Sequence, residues 1–361
     1  MSAQTGSKGY QELNQTNLQN AIDTQFGTGK AKVIDNGDGT FTVSFIDSKK
    51  DYNITSNGVE KGINWNEAMK NAEAPSSQDE ERNNGVIGIG TDGNPVDMDL
   101  WEYTQLSDNT YALNDLDALN DTVKTPGYKF GDNGENVIDG KIIGTVPQYI
   151  STDNGKNFYP VTDLTCTFSE NSYLVHAPYI PLTVKNMAKT FIRCSNLEAI
   201  ENFPPSLTDI NSAFKSTKIR SVPYFPDTIK NMSGAFQYCT ELSYIENIPK
   251  YVETMSQTFV QCNFSTLNVE IPNTVTDIYM CFAKCKKLNG TIIVRANISG
   301  AKIGTRLDYG GCFGNVAISG NGTLTLKCSE NVYNLFYDGN RPNKMKQGLA
   351  DYNADIVLEK I

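Results

Sequence analysis

Apolar side chains fall into two regimes along this 361-residue chain. Over roughly the first 160 residues they come in short runs broken by Gly, Asn and Asp; from Phe168 onward they recur on a period. Phenylalanines stand at 168, 191, 214, 236, 259, 282, 313 and 336, in steps of 23, 23, 22, 23, 23, 31 and 23 residues. Counted from Pro181, Pro204, Pro226, Pro249 and Pro272, the third residue on is Val184, Leu207, Ile229, Val252 and Val275, and the sixth is Met187, Ile210, Met232, Met255 and Ile278. The tenth is always Phe, the thirteenth is Cys194, Thr217, Cys239, Cys262 and Cys285, and Phe203, Phe225, Ile248 and Ile271 each precede a proline.

A period of this length, with apolar positions three apart, predicts a solenoid. One coil has too little apolar surface for a core, whereas stacked coils bury a continuous column of equivalent residues. Proline lacks the donor that a parallel ladder needs, so each coil's strand is expected just ahead of it, as in Leu197–Phe203 and Leu242–Ile248.

The stretches "IPNTVTDIYMCFAKCKKLNG" and "FPDTIKNMSGAFQYCTELSYIENIP" resemble the BspA-like class of bacterial leucine-rich repeats, whose coil carries a proline, an aliphatic, a Phe, a Cys and a Leu in this order. The resemblance covers about half of the chain and departs from the pattern in three places. Ser265 and Asn268 interrupt one coil, Thr217 replaces one Cys, and eight extra residues between Phe282 and Phe313 are expected in "SGAKIGTRLDYGG" as a loop on one face. It implies an extracellular, surface-bound bacterial protein that adheres to or recognises a partner.

Ahead of the array, residues 1–9 read as a flexible lead-in. Leu13, Leu18, Ala21, Ile22 and Phe26 recur at helical steps and predict an amphipathic helix over Gln11–Phe26. The run Asn36-Gly37-Asp38-Gly39 is a turn signal, and Phe41, Val43 and Phe45 alternate after it, with Tyr52 and Ile54 marking a third strand. This helix and meander resemble the globular part of type IV pilin-like proteins without their N-terminal apolar helix, which implies a structural subunit displaying the repeats as the second reading. Residues 71–84 read as a linker, Val86–Tyr103 as strand pieces, and Asp108–Gly155 as a turn-rich subdomain. "VPQYISTDNGKNFYPVTDL" is expected to cover the first coil, and "NKMKQGLADYNADIVLEKI" to close the last one as a short helix and a strand, with Met345, Leu349 and Tyr352 packing. The fold class expected is an α+β repeat protein: a leucine-rich-repeat solenoid of period 23 preceded by a small helix-plus-antiparallel-sheet domain. The domain plan is 1–75, 76–160 (acidic subdomain and cap), 161–340 (repeats) and 341–361 (C-terminal cap).

Charge narrows the partners. The net charge is −10, and Asp79 to Asp139 alone holds fourteen acidic residues against Arg82, Lys124 and Lys129, a local balance of −11. Nucleic acid, which needs clustered Lys and Arg, is set aside. No stretch approaches the apolar length of a membrane span, and no apolar signal follows Met1, so a surface location would need an export signal or anchor outside this chain.

Candidate chemistry is sparse. His176 is the one histidine, so sites built from two or three imidazoles are excluded. Cys194, Cys239, Cys262 and Cys285 occupy the repeat's own core position, at a spacing that suits packing and not zinc, and Cys166, Cys281, Cys312 and Cys328 are expected to be buried with them. Gly88-Ile89-Gly90-Thr91-Asp92-Gly93 matches a dinucleotide fingerprint, but Asn94-Pro95 follows where a helix should begin. Asp97, Asp99 and Glu102 could pair as general acid and base, with 97 and 99 expected on one strand face, but such pairs are common in an acidic region and no glycosidase signature accompanies them, so a glycan-active enzyme ranks third. Neither Asp35–Gly39 nor Asp132–Asn136 completes an EF-hand; no cofactor is expected, and calcium is the one ion left open.

A repeat array presents a long face of variable side chains on a regular frame, which is the pattern of a binding surface. With Leu242, Ile245 and Ile248 inward, Tyr244 and Glu246 point outward, and the same offsets from the closing proline pick His176, Ala199, Glu201 and Ser221, with Tyr179 and Tyr224 at the rim. Tyrosines interspersed with carboxylates suit a protein or glycan of a host or matrix. The expected ligand-binding set is therefore His176, Tyr179, Glu201, Tyr224, Tyr244 and Glu246, with catalysis assigned to none.

Overall fold

The computed structural model describes Gln19 and residues 31–35, 40–45, 51–55, 85–117, 122–296, 298, 311–317, 322–342, 344–346, 349–350 and 354–361. Two compact units divide the chain: residues 1–99 with 145–160, and residues 100–144 with 161–361.

In the first unit, strands Ala31–Asp35, Thr40–Phe45 and Asp51–Thr55 form the antiparallel meander that the alternating apolar residues predict, with Val43 opposite both Val33 and Tyr52. Gln19, the one described residue of the expected helix, is helical, and its Oε1 accepts a hydrogen bond from the Val33 amide at 2.9 Å. The remainder of Gln11–Phe26, the turn at 36–39 and the linker at 71–84 lie outside the described residues. The glycine-rich run is strand Ile87–Gly90 and a turn into Pro95–Val96, with the Gly93 amide donating to the Gly90 carbonyl and Gly93 left-handed at φ 79. Strand Pro147–Ser151 pairs antiparallel with Ile87–Gly90 on one side and with Tyr159–Pro160 on the other.

The second unit carries the array. Seven phenylalanines form one buried column, Phe168, Phe191, Phe214, Phe236, Phe259, Phe282 and Phe313, each ring stacked on the next at 5.2–5.8 Å. Trp101, Tyr128 and Phe130, from residues 100–144, cover the first ring, at 5.9, 6.0 and 6.4 Å from Phe168. At the other end Phe336 keeps the 23-residue step but not the geometry. It lies in the helix Glu330–Phe336 and meets Phe313 edge-on at 6.0 Å.

Two rows of parallel bridges run from coil to coil. One is unbroken, starting at Asp163 and continuing five residues after each repeat proline: Asn186, Asp209, Asn231, Thr254 and Asp277. Amide and carboxylate alternate at its start, and Asn186 and Asn231 each donate from Nδ2 to the Asp Oδ2 of the coil before, at 2.7 and 3.0 Å. The other row lies ahead of the prolines, and it corrects the expected strands. Leu197–Phe203 and Leu242–Ile248 are single-residue bridges, His176 to Ala199 and Ser221 to Tyr244. The cause is spacing: Leu242, Ile245 and Ile248 are buried at intervals of three, whereas a pleated strand turns alternate residues inward.

The coil that Ser265 and Asn268 interrupt resolves the mismatch. Both are exposed, and the inward set becomes Phe264, Leu267, Val269 and Ile271, alternating over the last three. There a six-residue strand forms, Thr266–Ile271, ending at Pro272 as the missing donor predicts. It starts a parallel sheet continued by Asn289–Val294, Leu324–Cys328 and Ile356–Lys360.

The C-terminal segment differs from the expected helix and strand in order. The helix comes earlier, and Lys344, left-handed at φ 55, leads into an antiparallel bridge between Met345 and Tyr337 instead of a helical turn. Met345 and Leu349 are buried as expected; Tyr352, and residues 299–310 of the expected loop, lie outside the described residues.

Candidate recognition surface

The stretch ahead of each proline sorts its side chains by position. Seven, four and one residues before the proline, the chain turns inward: Leu174, Ala177 and Ile180; Leu197, Ile200 and the half-buried Phe203; Ile219, Val222 and Phe225; Leu242, Ile245 and Ile248. The residues between them face solvent. All six expected ligand-binding residues are exposed: His176, Glu201 and Glu246 together with Tyr179, Tyr224 and Tyr244, whose rings leave 43%, 55% and 56% of their surface open. They lie on four consecutive coils. His176 and Tyr244 share the fifth position before the proline, Glu201 and Glu246 the third, and Tyr179 and Tyr224 the second.

A finer order lies within the strip. The four coils read "HAPYIP", "AIENFP", "SVPYFP" and "YIENIP", so that coils carrying Pro-Tyr alternate with coils carrying Glu-Asn. The signal is legible as a 45-residue repeat, from Pro181 to Pro226 and from Pro204 to Pro249, that a single-coil comparison averages away. Structure explains the asparagines. Asn202 accepts from the Ile180 amide and donates to the Ile180 carbonyl, both at 2.9 Å, and Asn247 does the same to Phe225 at 2.8 and 2.9 Å. Each amide is spent on the preceding coil, which leaves Tyr179 and Tyr224 as the projecting groups at that position.

Charge is placed differently on the strip and around it. Other carboxylates of the array pair across adjacent coils: Arg193 with Glu170 at 2.7 Å, Arg295 with Glu270 at 2.7 Å and, at the edge of the strip itself, Arg220 with Glu198 at 3.3 Å. Glu201 and Glu246 have no such partner among the described residues, because the coils beside Glu201 place Pro178 and Pro223 at that position. The strip is bounded at its first coil by the hairpin Val137–Ile138 and Lys141–Ile142, whose Gly140 carbonyl accepts from the His176 amide at 3.0 Å and whose Ile138 is 61% exposed. Nothing in the sequence periodicity pointed to Ile138.

The groups considered for catalysis are placed otherwise. Asp97 and Asp99 do not share a strand face: Met98–Leu100 is a 3-10 turn, and the Asp99 amide donates to Asp97 Oδ1 at 3.0 Å. Met98 is buried and pulls the chain out of extended conformation, so that the pair forms a local turn. All eight cysteines are free thiols. Burial pushes Cys194 and Cys285 up to about 12 and Cys239 to about 11, and raises Cys262, Cys281 and Cys312 strongly. A nucleophilic thiol needs the opposite shift. Cys166 departs from the expectation: it is only half-buried, at the left-handed turn position of its coil. Of the carboxylates considered for calcium, Glu135 turns back on its own loop, accepting from the Asn133 amide at 3.0 Å. Among the described residues no three His, Cys, Asp or Glu side chains converge as a metal site, and no helix is long and apolar enough to cross a membrane.

Residues 177–289 match a family model described as "BspA type Leucine rich repeat region (6 copies)". Among solved structures, the chain is similar to a leucine-rich repeat protein from Bacteroides ovatus ATCC 8483 at 17% identity, over 60% of this chain and 63% of that one, with a TM-score of 0.33. The match therefore spans less than two thirds of that protein's solved chain. No curated protein matches, and the resemblance of the N-terminal helix and meander to pilin-like proteins finds no support in either likeness.

Proposed function

We propose that this chain is a recognition module of a bacterial cell surface, holding a host or matrix protein or glycan through the strip ahead of the repeat prolines. The observation that carries the reading is the separation of roles within single coils: Phe225 is fully buried while Tyr224 beside it is 55% exposed, and Ile180 with Tyr179 and Ile245 with Tyr244 divide in the same way. A rigid ring with a hydroxyl offers contact area at small entropic cost, which suits a surface meant to hold a macromolecule. Burial holds the repeat thiols in their protonated form, which suits packing residues and not nucleophiles.

Screening the intact chain against arrays of matrix proteins and glycans tests the proposal. Replacing Tyr244 and Glu246 together by Ala and Gln should weaken capture of the strongest hit about tenfold or more, with unfolding midpoints unchanged. Undiminished capture by that variant would move recognition away from the strip.

A further inference from the structure

The two-coil alternation says more about the partner than exposure alone. Tyr179 and Tyr224 stand at the same position on coils two apart, each preceded by a proline, Pro178 or Pro223, that fixes the backbone feeding the ring. The coil between them offers Ala199, half-buried and small, Asn202, whose amide is tied to Ile180, and the exposed carboxylate of Glu201. The result is two aromatic ridges with a low, acidic saddle between them. On the strip His176 is bridged to Ala199, and at the next step the Arg220 amide donates to the Glu198 carbonyl at 3.3 Å; parallel chains paired in this way lie about 4.8 Å apart, so the ridges repeat every ~9.6 Å along the array.

We infer that the strip takes a proline-rich, basic peptide segment in polyproline II conformation, seated on Tyr179 and Tyr224 with a Lys or Arg over Glu201. This rests on the strip being the recognition surface and names its partner class. Polyproline II rises about 3.1 Å per residue with three residues per turn, so one turn advances ~9.3 Å and presents equivalent prolines at nearly the spacing of the two rings. Aromatic platforms are the physical complement of proline rings, whose backbone is already extended and loses little freedom on binding. Charge selects the flanking residue. Glu201 and Glu246 recur at the same two-coil spacing without ion-pair partners among the described residues, whereas Glu198 on the same coil as Glu201 is neutralised by Arg220. A basic residue once per turn meets those carboxylates; an acidic polymer is repelled. An extended β-strand ligand, advancing about 6.8 Å per like-facing pair of residues, falls out of step with the rings.

The test is titration of the full chain with a synthetic peptide of repeated Pro-Pro-Lys triplets, against a Gly-Ser-Lys triplet peptide of equal length and charge, and a Pro-Pro-Glu one. The expected result is saturable binding of the first, at least about tenfold weaker binding of the other two, and a similar loss from Tyr179→Ala or Tyr224→Ala. Glu201→Gln should weaken binding and reduce its salt dependence, while Tyr251→Ala, an exposed ring elsewhere on the coil, should leave it unchanged. Equal affinity for the Gly-Ser-Lys peptide, or insensitivity to both tyrosine changes, overturns the inference. If the Pro-Pro-Lys peptide does not bind while an array hit, such as a neutral glycan, is lost in the Tyr244 and Glu246 double variant, the polyproline partner is wrong and the recognition surface stands.

Discussion

Two residues in each coil sit in the left-handed region, and nearly all of them carry side chains. At the eighth position after the proline these are Lys189, Ser212, Gln257 and Met280, with φ between 53 and 57, and only Gly234 is a glycine; at the twelfth they are Arg193, Ser216, Tyr238, Gln261 and Lys284, with φ between 60 and 66. Such a conformation costs a residue with a Cβ about 1–2 kcal/mol, and glycine escapes that cost but loses about 0.5–1 kcal/mol of stability through its freer unfolded chain. Lys189→Gly is therefore expected to be neutral or stabilising by up to ~1 kcal/mol, and Lys189→Val to destabilise by ~1–2 kcal/mol; denaturant midpoints decide it.

The thiols give a second prediction at this scale. A folded thiol at about 11 or 12, against an ordinary 9.0, keeps its proton where the unfolded chain gives it up. The sign follows from that difference: the contribution is full below pH 9 and is lost as pH rises through the folded values, with a slope of about 1.4 kcal/mol per pH unit for each buried thiol. Stability measured from pH 8 to 11 should fall steeply. Thr217 occupies the Cys position of its coil, buried, its hydroxyl donating to Phe214 O at 2.9 Å, so Cys239→Thr should fold and show a shallower alkaline fall. An unchanged slope in that variant would mean that Cys239 is ionised or exposed in the folded state.

At the scale of one coil, the inward positions could be read from the chain because each is occupied by an apolar residue in all four coils from Leu174 to Ile248, and burial is what such a pattern reports. The strands could not. Apolar spacing of three is equally the signature of a tight coil and of a helix turn, and only the backbone bridges distinguish a one-residue contact from a six-residue strand. The exposed strip was legible in the sequence, but its alternation was not, since Asn202 and Asn247 look like any polar surface residue until their amides are seen closed on Ile180 and Phe225. Asn247→Ala opens both of those bonds and leaves half-buried backbone groups unpaired, and should cost ~1–3 kcal/mol. Asn196, half-buried like Asn247, makes no such double contact to one backbone: it donates one bond to Ser172 O and accepts one from Lys218, and its replacement should cost under ~1 kcal/mol.

For the molecule, the stacked ring column is the frame and the strip is what the frame presents. Phe236 contacts a ring on either side, at 5.2 and 5.8 Å, so Phe236→Ala should cost ~3–5 kcal/mol. Among the described residues Phe336 meets one ring, by its edge, and its loss should cost less. If frame and display are separate, neighbouring residues in one coil must behave oppositely, and Tyr224 and Phe225 are the sharpest such pair. Equilibrium unfolding in denaturant of the two alanine variants is the direct measurement. Phe225→Ala is expected to lose ~3–5 kcal/mol and Tyr224→Ala less than ~0.5 kcal/mol. Comparable losses at the two positions would contradict the register on which both the fold and the proposed recognition surface depend.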